Sequence, residues 1–183
     1  MKGNLENRRR RKFMIDRKEA LKYVLSYLKQ HHRQNSKIAI QKTMYFLKES
    51  GLPVSYSFGA HTYGPFSKEI MHDADQLEME DELIIKNVSY DLGSAFQVDL
   101  SQDDKDQIEQ HIQNFIDLIN HNFDFNNLEI YGSVIYCRQI LKKFDEPVNL
   151  DNVYRELKSW KGSKYSYSDV RPVYESVKDY FAL

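Results

Sequence analysis

Cysteine is almost missing from this chain: Cys137 is the only one in 183 residues. A lone thiol excludes an internal disulfide framework and any zinc site built on cysteine pairs. Glycine is sparse, with seven in all, and none falls in a phosphate-cradling loop pattern. No run approaches the roughly eighteen apolar residues of a membrane span. The N-terminal positive charges are not followed by an apolar stretch, so no secretory signal is expected and a cytoplasmic protein is the default. Catalytic patterns are lacking too. There is no nucleophile elbow. Cys137 lies in an apolar helical stretch between Tyr136 and Arg138 and reads as a buried, inert thiol, because reactive thiols need an electropositive, exposed setting. Among the six histidines, His72 with Asp73 and Asp75 comes nearest to ligand spacing. A solvated face of an acidic helix accounts for that cluster equally well. No enzyme, metal or cofactor is expected.

What is present is ordinary in bulk and uneven in detail. The chain is 41% hydrophobic and 29% charged, as in a globular domain able to bury its own core. Its net charge of −1 hides a split. Residues 1–50 hold fourteen Lys and Arg against four acids, a balance of +10, and the remainder balances it with −11. The basic end contains Arg8, Arg9, Arg10, Arg11 and Lys12. Its polar flanks lack periodicity, which predicts a flexible arm over 1–16. Such a split suggests an acidic partner for one end, or self-association.

Apolar spacing predicts helices along most of the rest. Leu21, Val24, Leu25 and Leu28 share one face over about 17–30, with Asp16 as N-cap. Ile40, Met44 and Leu47 line a second helix over about 37–50, ended by Gly51 and Pro53. Val54 to Phe58 alternates as a short strand would. Tyr63-Gly64-Pro65-Phe66-Ser67 is a tight turn that launches a third helix over about 68–80. Gly64 tolerates positive φ, Pro65 fixes its own, and the Ser67 hydroxyl is the expected cap. Phe66 and Met71 stand at the two ends of a hydrophobic staple. Strands are expected at 83–90 and 95–100, joined by Asp91-Leu92-Gly93-Ser94. Further helices follow at about 101–121, 126–143 and 150–161, and a last one is capped by Ser166 or Ser168. The fold class predicted is α+β and predominantly helical. A winged-helix-like core with a β-hairpin wing spans 17–100, and a C-terminal helical extension over 101–183 packs on the same core.

Lys42-x-x-Tyr45-Phe46-Leu47, then Gly51, then Tyr63-Gly64-Pro65-Phe66-Ser67 and an amphipathic helix, resembles the SocA/YwgA-like, or Panacea-domain, family. Leu128-Glu129-Ile130-Tyr131 and the segment from Lys158 to Lys161 with Tyr165-Ser166 add to the resemblance, which covers roughly 18–181. It implies a small, mostly helical protein with a winged-helix-like core. It also implies protein binding, as an antitoxin that neutralises a toxin or as a subunit of a defence complex. The residues singled out for interaction are Lys42, Tyr45, His61, Tyr63, Gly64, Pro65, Phe66, Ser67, Asp73, Glu78 and Glu80.

DNA reading through the third helix is disfavoured by charge. Residues 67–82 hold one Lys and seven acids, and phosphate repels them. The same surface suits a basic protein partner. The alternative is a nucleic-acid-binding transcriptional regulator that acts through the arm Arg8 to Lys12. A homo-oligomer is the remaining partner expectation.

Overall fold

A computed structural model of the chain describes residues 14–32 and 35–181. The basic run Arg8 to Lys12 lies outside the described residues. The elements run α1 (Arg17–His32), α2 (Lys37–Glu49), α3 (Lys68–Met79), β1 (Leu83–Ile85), β2 (Tyr90–Leu92), α4 (Gln102–Leu118), α5 (Phe125–Lys143), α6 (Leu150–Lys161) and α7 (Tyr167–Phe181). The class is α+β and mostly helical, with one two-stranded antiparallel sheet among the described residues. No helix there is long and apolar enough to cross a membrane.

α2 is the hub. It packs on α1, α4 and α5, while α6 and α7 close over the other side of α5. Its buried residues run unbroken from Ala39 to Leu47 and include Gln41, Lys42 and Thr43. A helix apolar all round is what burial on several sides requires, so polar residues at its centre stand out. The expected inner faces are buried: Leu21, Val24, Leu25 and Leu28 on α1, and Ile70, Ala74 and Leu77 on α3. So are Ile108, Ile112, Phe115 and Ile119 near α4, and Leu128, Tyr131, Val134, Ile135 and Leu141 on α5. Ser101 caps α4 by accepting from the Asp104 amide at 3.1 Å. Of the two serines expected to start α7, Ser166 does so, accepting from the Asp169 amide at 3.2 Å.

Three local expectations are corrected. Val54 to Phe58 forms no strand, although its burial alternates. The segment has side-chain partners instead of a neighbouring ladder: the Ser57 amide donates to Glu69 at 2.5 Å and the Tyr56 hydroxyl to Asp73 at 2.9 Å. The hairpin is smaller and earlier than expected. Leu83 pairs with Leu92 and Ile85 with Tyr90, and the Lys86 amide donates to Ser89 across the turn. Residues 95–100 form no strand. After Leu92 the chain is captured by the end of α3, because the Gly93 amide donates to Glu82 O and the Ala95 amide to Asp81 O, both at 2.9 Å. Nor is the hairpin tip free. The Lys37 amide donates to Val88 O and the Tyr90 amide to Asn35 O, both at 2.8 Å. The tip is therefore pinned to the start of α2.

Candidate functional site

The turn before α3 is held from below by α2. Gly59 and Phe66 exchange two backbone hydrogen bonds, at 2.9 and 3.0 Å, and close residues 59–66 into a narrow loop. Gly64 has φ +93°, a conformation that favours glycine. The third correction concerns Ser67. It is the N-cap residue, yet its side chain makes no capping bond, and its buried hydroxyl has no hydrogen-bond partner. The cap comes from Gln41 instead. Gln41 Oε1 accepts from the Ser67 amide at 2.9 Å, and Gln41 Nε2 donates to Ser67 O at 3.0 Å. A side-chain amide that satisfies both backbone groups of one residue is a two-point clamp. It leaves the Ser67 hydroxyl nothing to do.

One turn further along α2, Lys42 is buried at 3% exposure. Its ammonium donates to Pro65 O at 2.8 Å. Two glycines make room for it. A Cβ on Gly64 would stand 3.0 Å from Lys42 Cε, and one on Gly132 of α5 would stand 2.9 Å from Lys42 Cδ. Gly132 sits inside a helix, where glycine costs about 1 kcal/mol relative to alanine. Close packing on the lysine stem is the compensation. Burial lowers the Lys42 pKa to about 7, Lys161 lowers it further, and Glu129 opposes both.

Glu129 is the hub of a charged knot behind the turn. It is fully buried on α5. It accepts from Lys161 Nζ at 3.0 Å and from Lys164 Nζ at 2.7 Å. Lys161 also donates to the carbonyls of His61 and Thr62, so the end of α6 is pinned to the loop. Burial raises the Glu129 carboxyl, but Lys164 and Lys161 outweigh it and hold it below its usual value. Three cations thus surround one carboxylate.

In front of the turn lies a cleft of about 630 Å³. Its walls come from the start of α2, the 61–66 loop, Met71 of α3, the hairpin tip at Asn87 and Val88, and residues 123–125 before α5. Lys42 reaches its floor and Lys37 its rim. The rim is aromatic and aliphatic. His61 stacks on Phe66 with centroids 4.8 Å apart, and Tyr63 meets Phe125 edge-on at 5.0 Å. Tyr63, Met71, Val88 and Phe125 are exposed by 49, 44, 70 and 43%. Large apolar side chains left in water and gathered at one cleft are a recognised mark of a binding surface.

Of the residues singled out from sequence, Lys42, His61, Tyr63 and Phe66 meet at this cleft. Gly64, Pro65 and Ser67 build the turn behind it. Phe66 and Met71 share the cleft wall rather than a staple that buries both, since Met71 is exposed. Tyr45 is elsewhere, buried beneath Phe58 and Tyr136. Asp73 is a correction. It is 1% exposed and cannot offer a surface charge. It accepts from Arg17 and from Tyr56, and so joins α1, α3 and the 54–58 segment. Glu78 and Glu80 are exposed, with Glu78 accepting from the Ile85 amide. Sequence reasoning missed Gln41, Glu129 as a charge hub, Gly132, Val88 and Phe125. A glutamate between Leu128 and Ile130, three residues before a helical glycine, was the available signal. A charge at core spacing needs a buried partner, and an interior glycine marks close approach. His72 lies 2.9 Å from Gln76 Nε2 and Asp73 is turned into the core, which separates the acidic cluster considered for a metal. Cys137 is buried, and burial pushes its thiol up to about 12.

Comparison of the chain with protein-family models and with curated proteins finds no match to either.

Proposed function

We propose that this chain is a non-enzymatic, cytoplasmic protein-interaction module of the SocA/YwgA-like type, an antitoxin or a subunit of a defence complex. The observation that carries the reading is the cleft rim. Tyr63, Met71, Val88 and Phe125 come from four separate segments and leave their apolar surface in water around one concavity. Aromatic and long apolar side chains around a pocket are what partner hot spots are made of. The motif residues that carry the family resemblance build the turn that forms one wall. Exposed acids Asp75, Glu78 and Glu80 on α3 add charge of a sign that steers a basic partner.

The reading is tested by capture from nuclease-treated native lysate, comparing the parent chain with Val88→Asp and Met71→Asp. Both changes place a charge on exposed positions, so folding is expected to be unaffected. A stoichiometric protein held by the parent and lost at least tenfold in both variants supports the module. A protein captured equally by all three places the interface elsewhere. Nucleic acid recovered without protein, and lost on deletion of residues 1–12, favours the regulator that acts through the arm.

A further inference from the structure

We propose that the floor of the cleft binds an apolar carboxylic acid, with its carboxylate on Lys42 Nζ and its hydrocarbon part against Ile38, Phe66, Met71 and Tyr90. This goes beyond the protein-partner reading, which concerns the rim, and it is tested on the isolated chain.

The first support is the state of Lys42. An ammonium has three donors, and Lys42 uses one, on Pro65 O at 2.8 Å. Lys161 and Lys164 share Glu129, but no ion pair among the described residues includes Lys42. Buried charges without partners are strongly disfavoured, so an amine kept in this position calls for an anion that arrives. The second is the room made for it. Gly64 and Gly132 flank the stem at distances where any Cβ would crowd it. Pinning one carbonyl requires a donor but not a cation delivered to a cavity floor.

The third support is the shape and chemistry of the space. About 630 Å³ lies in the range of small-molecule sites, which are mostly apolar with a few placed polar groups. Ile38, Phe66, Met71, Val88, Tyr90 and Phe123 supply the apolar part. Beside the Lys42 amine the floor offers Gln41, which is committed to Ser67. A phosphate, with three oxygens to satisfy, wants more donors than this. A carboxylate matches better.

Binding must be linked to protons. The charged groups around Lys42 are Lys161 and Lys164 behind the turn, Glu129 on α5, and His61, Lys37 and Asp124 at the cleft. Without ligand, burial and then Lys161 bring Lys42 to about 7. A carboxylate on Nζ raises that value. Above it the complex takes up a proton, so affinity falls by up to about tenfold per pH unit as pH rises, and is level below it.

The test is titration calorimetry of the full chain with phenylbutyrate and with its neutral amide, at about one pH unit below and above neutrality. The expected result is saturable binding of the acid, at least tenfold tighter than the amide, weakening at the higher pH. Lys42→Met should lose at least tenfold for the acid and little for the amide. Equal affinity for acid and amide overturns the proposal, as does unchanged binding in Lys42→Met or no saturation at millimolar acid. Should Lys42→Met fail to fold by circular dichroism, the parent chain with carbon-13-labelled lysine decides. The Lys42 side-chain titration must move up by about one pH unit with phenylbutyrate, and an unmoved midpoint at saturation refutes carboxylate contact.

Discussion

At the scale of single residues, the polar side chains inside α2 have the clearest consequences. Gln41 holds both backbone groups of Ser67, whereas the Ser67 hydroxyl is buried without a partner. A capping serine replaced by alanine ordinarily costs about 1 kcal/mol. Ser67→Ala is expected to be neutral or slightly stabilising here, because it removes an unsatisfied buried hydroxyl. Gln41→Ala should cost more, about 2 kcal/mol or above, since it strands a buried amide and a carbonyl. Urea unfolding of the two variants ranks them, and a Ser67→Ala loss equal to that of Gln41→Ala would show that the hydroxyl caps after all. The turn was legible in sequence because glycine, proline and serine each impose a known backbone preference. The clamp was not, because a glutamine's partner lies wherever tertiary packing puts it. Asp73 teaches the same lesson with opposite sign. On a helix drawn alone it belongs to an acidic run, but Arg17 from another helix draws it inward.

At the scale of elements, helix identity followed from apolar periodicity and the hairpin did not. Each predicted helix had several branched or aromatic residues at one face, and burial confirmed those faces. The hairpin strands are three residues each, too short for alternation to fix a register. What fixes it is Gly93. A Cβ there would lie 2.0 Å from the Asp81 carbonyl oxygen, inside any permitted contact. Gly93→Ala is therefore expected to push β2 away from the α3 exit and destabilise the chain by about 2 to 3 kcal/mol. Gly132→Ala meets only the flexible Lys42 stem at 2.9 Å and a ring carbon of Pro65 at 3.3 Å, and it gains helix propensity. Its cost should be lower, about 1 kcal/mol. Thermal melts of both variants check the order, which fails if Gly132→Ala proves the more damaging.

At the scale of the whole molecule, the buried charges set a pH dependence. The unfolded Lys42 titrates near 10.4 and the folded one at about 7. Between these values the unfolded chain carries the extra proton, so this group's contribution to stability rises with pH from about 7 upward. Its full penalty is present below that. Lys42→Met removes the group, so the gain in urea midpoint between neutral pH and about 9.5 should shrink by close to one proton's worth. An identical pH profile in parent and variant would mean that Lys42 is charged when folded. The site around it was half visible in sequence. Lys42 and the turn were quoted for their pattern. Their meeting with Glu129 and Lys161 depends on α5 and α6 docking behind α2, which no local spacing records.

The hairpin tip bonded to Asn35 and Lys37 has a consequence for how the cleft comes into being. Its walls are drawn from residues near positions 37, 63, 88 and 125, brought together only when the whole chain has docked. No fragment of the chain carries a usable cleft. Anything that fills it therefore acts as a seam across distant segments and selects the finished fold over every partly opened one. Resistance to proteolysis should then rise with occupancy as the logarithm of free ligand over its dissociation constant, so that a cell reading this surface is also reading whether the chain has finished folding.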